Sequence, residues 1–273
     1  MLRGAAKYLG KLQEGGTLNH VSQTVRTGLG VRWTPDLLDG DPEELAKEWE
    51  RSLHGFAKRL EPAKRERFLA ALDSAVYPML GEAAVAADAN GLHPKHALTR
   101  YHDFFCGHIG PGETVLDLGC GVGALARSIV DRRAARVTGM DFSTTNLAKA
   151  GAWCAACERP PVFLAGDITK DRAPGNFDCL VLSNVLEHIA DRVGMLATWR
   201  QWYRASKLLV RVPSFERDWR VPWKQGLAVE WRLDLTHETE HTESQLCEEV
   251  TAAGWKTVEK FQRWGELFLV ARG

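Results

Sequence analysis

The run Val115-Leu116-Asp117-Leu118-Gly119-Cys120-Gly121-Val122-Gly123 sets a carboxylate and three glycines at the end of an apolar segment. Glycines at such a turn let the backbone fold tightly and let a ligand approach it closely. Two more acids follow apolar segments in the same manner: Asp141, with Phe142 after it, and Asp167, followed by Ile168. A second group of side chains can move protons. Glu187 and His188 close the segment Ser183-Asn184-Val185-Leu186-Glu187-His188, and Asp234, His237 and His241 precede a late helix. A carboxylate or imidazole within reach of a hydroxyl serves as a general base. His/Asp/Glu sets also bind metals, but this spacing is not diagnostic of one, and no metal is assigned.

Charge separates the ligands that such a glycine turn can take. Gly119, Gly121 and Ala124 satisfy the dinucleotide pattern, and an NAD-dependent oxidoreductase is a rival reading. A dinucleotide brings a pyrophosphate, however, and Asp117 would face it. No phosphate-loop Lys-Ser/Thr follows the glycines. S-adenosylmethionine brings an ammonium, a sulfonium and one carboxylate, so Asp117 suits it. Asp141 can accept from ribose hydroxyls, Asp167 from the adenine amino group, and Ile168 can offer a backbone N–H and an apolar face.

Asp117 to Gly123, Asp141, Gly166-Asp167-Ile168 and Ser183 to His188 together resemble the successive motifs of class I S-adenosylmethionine-dependent methyltransferases. The resemblance covers about residues 112–273 and is specific to the family, not to a substrate. It implies that Asp117, Gly119, Cys120 and Gly121 line the methionine part of the cofactor. Asp141 with Phe142 would lie at the ribose, Asp167 with Ile168 at the adenine, and Asn184 with Val185 at the methyl group.

A hydroxyl acceptor must lose a proton, and the expected catalytic residues are His241, His237, Glu187 and His188. The Asn/Asp/Ser-Pro-Pro-aromatic motif of DNA amino-methyltransferases is absent after the fourth strand, and only one glutamate stands where protein arginine methyltransferases carry a pair. No DNA partner is expected. Segments 93–102, 211–219 and 229–234 look similar to bacterial methyltransferases associated with cell-surface glycans. Trp219 and Trp231 can stack on sugars and Arg217 can bond hydroxyls. The expected activity is O-methylation of a sugar hydroxyl of a glycan or glycan precursor. A small aromatic or quinone-type acceptor and a non-catalytic cofactor-binding module are the alternatives.

These groups need a scaffold. From Thr114 onward short apolar strands alternate with helices, which predicts an α/β fold. It is a doubly wound, seven-stranded, mostly parallel, Rossmann-like sheet ending in an antiparallel hairpin near Gly265. A capping box at Thr242 and Gln245 opens the last helix. Residues 1–91 read as a helical region serving as lid, packing element or homodimer contact, and 92–273 as the cofactor domain. Its helices are expected from Pro42, from Pro62 and over 75–87. The chain has 273 residues, 35 Lys plus Arg against 35 Asp plus Glu, and six cysteines. Zero net charge disfavours a polyanionic partner. Cysteines in apolar segments, no secretory leader and no apolar run approaching membrane length point to a reduced, cytoplasmic protein.

Overall fold

The computed structural model describes residues 25–26, 32–33, 40–89 and 91–273. The chain divides into two compact units, Met1–Leu69 and Ala70–Gly273. In the first, Val25–Arg26 pairs antiparallel with Arg32–Trp33. Helix α1 (Pro42–Ala57) starts as its sequence dictates, with Pro42 at its first position and the Asp41 side chain accepting from the Glu43 N–H.

Helix α2 (Pro62–Ala87) crosses the division between the units. Two helices were expected over this stretch, and the chain forms one of 26 residues. No glycine or proline interrupts Phe68 to Tyr77, so nothing there ends the helix. Pro78 inside it removes one N–H donor without breaking it. By length and composition this helix could also cross a membrane, with a mean hydropathy of 1.2 over its most apolar window. Asp73 and Glu82 punctuate it, so no uninterrupted apolar run betrays it.

The second unit continues with α3 (Lys95–Thr99), α4 (His102–His108), β1 (Thr114–Leu118), α5 (Ala124–Arg133) and β2 (Arg136–Asp141). Then come α6 (Thr144–Cys154), β3 (Val162–Ala165), β4 (Cys179–Ser183), α7 (Arg192–Tyr203) and β5 (Lys207–Pro213). Helices α8 (Arg220–Gly226) and α9 (Glu243–Ala252) precede the hairpin of β6 (Lys256–Arg263) and β7 (Glu266–Arg272). The short helices α3, α4 and α8 carry no long apolar period and were not anticipated. The seven strands lie in the order β3-β2-β1-β4-β5-β7-β6. The first five are parallel, and β7 runs antiparallel to both β5 and β6. The expected fold class is the observed one.

Alternation along the central strands feeds two cores, as a sheet buried on both faces requires. Leu116, Leu118, Leu180, Leu182, Leu208 and Val210 pack with Leu196, Trp199 and Tyr203 of α7 and with Leu246 and Val250 of α9. Val115, Cys179, Val181 and Leu209 point the other way, onto Phe105 of α4 and Leu125 and Ile129 of α5. The five parallel strands have their carboxyl ends on the side of the glycine turn, which is where this architecture presents ligands. Leu182 is fully buried in the first core. Leu182→Ala should therefore lower the stability of this unit by about 2–5 kcal/mol in urea unfolding. A loss below about 1 kcal/mol would contradict its central place.

Candidate active site

Strand β1 delivers Asp117 into the interior, with 2% of its surface exposed. The turn after it is drawn against β2, because the Gly119 and Cys120 N–H groups both donate to the Met140 carbonyl, at 2.8 and 3.1 Å. Gly119 has φ +70°. A Cβ there would sit 2.6 Å from a methyl of Val185, so the turn closes only on glycine. Gly121 has open space on its Cβ side, and its N–H donates to Asp141 Oδ2 at 2.8 Å. The other Asp141 oxygen accepts from the Ser143 N–H at 2.8 Å. Phe142 stands 82% exposed beside it.

Two acceptors at this turn lack partners: Asp117 Oδ2 and Asn184 Oδ1 are buried and unbonded. Burial, helped by the neighbouring Asp141 charge, pushes the Asp117 carboxyl up to about 7. The Cys120 thiol is pushed up by burial and stays neutral. Asn184 holds φ +56°, and its N–H donates to the Arg211 carbonyl at 2.8 Å. An orphaned carboxylate oxygen, an orphaned amide oxygen and an open glycine fit a ligand that brings a cationic amine. Further along, Asp167 bonds Lys170 and Thr169, which hold it down at about 2. An adenine amino group would share that carboxylate with them. The Ile168 carbonyl accepts from Trp199 Nε1 at 2.9 Å, which fixes that residue's backbone.

Beyond Asn184 the chain makes a 3₁₀ turn, Leu186–His188, that buries Glu187 completely. Neither Glu187 carboxylate oxygen has a partner, and burial pushes its carboxyl up to about 8. The Glu187 carbonyl accepts from the Glu238 N–H at 2.8 Å, which pins the 234–241 loop over the turn. This brings His237 to His188, with ring centroids 4.7 Å apart. His237 Nδ1 lies 3.0 Å from Glu240 Oε1. A cavity of about 830 Å³ opens here, bordered by Asn184, His188, Asp234, His237, Lys95 and Glu266. Its other wall is Tyr77, Pro78, Leu80 and Val85 of α2.

His241 lies elsewhere. It is wholly buried, with Nε2 3.0 Å from Glu249 Oε2, and it does not border the cavity. Arg217 spends its donors on Glu240 and on the carbonyls of Ser214 and Trp231. With Trp231 it borders a separate cavity of about 420 Å³. Trp219 is 72% exposed, 5.5 Å from Trp223 between ring centroids.

Arg211, Glu266, Lys95 and Tyr101 are not among the residues expected at the site. Arg211 is 2% exposed and paired with Glu266, while its Nη1 donates to Ser183 Oγ at 3.0 Å. Its guanidinium lies 3.5 Å from the Tyr101 ring centroid. A charge inside Leu208-Leu209-Val210-Arg211-Val212 was the available signal, since a buried strand rarely carries one.

Comparison with known proteins bears on this geometry. Residues 115–207 match the family model described as a methyltransferase domain. The match covers about a third of the chain, the part that holds the glycine turn and strands β1 to β4. It is 32% identical over 110 residues to the sterol 24-C-methyltransferase ERG6B of Gibberella zeae, across 38% of this chain and 29% of that one. It is 31% identical over 103 residues to a ubiquinone biosynthesis O-methyltransferase of Albidiferax ferrireducens, across 36% and 40%. The chain thus spans well under half of these relatives. In fold it resembles magnesium protoporphyrin IX methyltransferase of Synechocystis, solved with bound S-adenosylmethionine. The TM-score is 0.51 at 16% identity, over 78% of this chain and 97% of that one.

An amine-bearing cofactor at this turn would be coupled to the state of Asp117. Without ligand, the folded protein keeps a proton up to about pH 7 that the unfolded chain releases near pH 4. The unliganded fold therefore loses stability as pH rises through that window. A cationic amine reverses the preference and drives the proton off. Between pH 5.5 and 7, affinity for S-adenosylmethionine should rise by up to about tenfold per pH unit, with proton release in calorimetry. Asp117→Asn should flatten that dependence. Affinity constant across this range in the wild type would separate Asp117 from the amine.

Proposed function

We propose that the chain is an S-adenosylmethionine-dependent O-methyltransferase whose acceptor hydroxyl enters the 830 Å³ cavity. One observation carries this reading. Glu187, His188 and His237 gather next to Asn184, so proton-handling groups stand where the motif resemblance puts the methyl group. S-adenosylmethionine supplies a methyl already activated by its sulfonium. The task left to the protein is to orient the acceptor and relieve it of a proton. Asp117 binds the amino group, and Gly119 and Gly121 admit the ligand to the backbone. Asp141 with Phe142 receives the ribose, Asp167 with Ile168 the adenine, and Asn184 with Val185 flanks the methyl. Of the expected residues, His188 and His237 border the cavity with Glu187 within reach of both behind them, and His241 is a buried brace on Glu249. The free cysteines support a reducing, cytoplasmic setting.

For the acceptor we favour a sugar hydroxyl of a glycan or its precursor. Trp219 presents an open aromatic face, and Asp218, Arg220 and Arg232 ring the neighbouring cavity with hydrogen-bonding groups. The apolar wall of Tyr77, Pro78 and Leu80 supports an aromatic or quinone-type acceptor as the second reading. The two separate in a single assay with methyl-labelled cofactor, offering nucleotide- and lipid-linked sugars beside phenols and quinols. The expected product is a labelled methyl ether, with Trp219→Ala slowing only the sugar reaction. Label on nitrogen or carbon would overturn the O-methyl reading, and ethers on phenols alone would overturn the sugar.

A further inference from the structure

We propose that Glu187, His188 and His237 form a binding site for one divalent first-row transition-metal ion that takes the acceptor hydroxyl as a further ligand. One ligand atom from each residue lies within 4.8 Å of the other two. Such ions bind nitrogen and oxygen at ~2.0–2.2 Å, so the three donors close onto one with small side-chain adjustments. Two imidazoles and one carboxylate on a single side of an ion are an established donor set that leaves positions open.

The surroundings set each donor. Both Glu187 oxygens are buried without any partner, an arrangement that costs free energy unless a cation fills it. His237 Nδ1 donates to Glu240, whose Oε1 also accepts from the Leu233 N–H at 2.6 Å and whose Oε2 is paired with Arg217. That leaves His237 Nε2 with its lone pair, the carboxylate–imidazole relay found behind metal-bound histidines. Thr236 Oγ1 donates to Asp234 at 2.7 Å, so its oxygen accepts from His188 Nδ1 at 3.0 Å. The same logic frees His188 Nε2. The ligands come from the 3₁₀ turn and from the loop pinned to its carbonyl, and the open side is the cavity.

The ion's role rests on the O-methyltransferase reading; its binding does not. The acceptor oxygen, bound to the ion, loses its proton to water. It then forms the O–C bond as the C–S bond breaks, and that electron pair stays on sulfur. The products are the methyl ether, the neutral thioether and one proton.

The test is cobalt(II) titration of the chelator-stripped full chain, followed by visible absorption. Calorimetric S-adenosylmethionine binding is measured on the same samples. One equivalent should bind without thiolate-to-cobalt charge-transfer bands. Glu187→Gln and the surface-accessible His188→Gln should each weaken it by at least tenfold, and Glu240→Gln by about 10–100-fold. Cofactor affinity should stay within about twofold in all three, which also reports that they fold. Absence of a stoichiometric site, cobalt bound through thiolate at Cys154 and Cys157, or equal affinity in Glu187→Gln would each overturn the proposal. Loss of cofactor binding in the wild type, with cobalt still bound, would instead sink the methyltransferase reading and leave the ion site standing.

Discussion

A guanidinium buried at the carboxyl end of the sheet is the constraint around which the site is arranged. Stripping such a cation of water costs several kcal/mol unless its donors are met. Arg211 meets that demand with Glu266 from β7, Ser183 from β4 and the face of Tyr101. Each partner belongs to a different segment. Satisfying one charge therefore fixes where β4 ends, how far the hairpin reaches and where the 95–102 segment lies. The Arg211 carbonyl also receives the Asn184 N–H and holds that residue in its left-handed conformation.

From there the site has two ends of opposite character. At the glycine turn, a carboxylate is kept short of partners and raised in pKa by burial, which suits a ligand that brings positive charge. At the 3₁₀ turn a second carboxylate is kept in the same state, with two imidazoles beside it. Only Asn184, Val185 and Leu186 separate the second acid from β4. The fold thus holds two buried carboxyls at the ends of the neighbouring strands β1 and β4, each pushed by burial toward its protonated form and each suited to a different cation.

The strands, their parallel order and the glycine turn were legible in the sequence because they rest on local rules. Those rules are apolar alternation, glycine at positive φ and capping at Thr242. The continuity of α2 was not, since Pro78 and the apolar clusters on either side of Asp73 suggest separate pieces, and only the backbone shows they join. Glu187, His188 and His237 were legible as reactive types. Their convergence depends on Glu238 and Thr239 bonding the Glu187 carbonyl across about fifty residues, which no spacing rule reveals. His241 looked equivalent to His237 in sequence. A step of four residues carries it past the cavity rim and onto Glu249 of α9.

The place of β7 has a consequence for the order in which the protein can be made. It is the last strand in the sequence, yet it lies between β5 and β6. Until residues 266–272 leave the ribosome, β5 presents an unpaired edge whose seven residues are all destined for burial. Such an edge recruits other strands. Arg211 is the fifth of those seven residues, and before Glu266 arrives its charge is unpaired. The same arginine that organises the finished site would therefore repel a second copy of that edge on a neighbouring nascent chain, guarding the strand against self-association until its partner is synthesised.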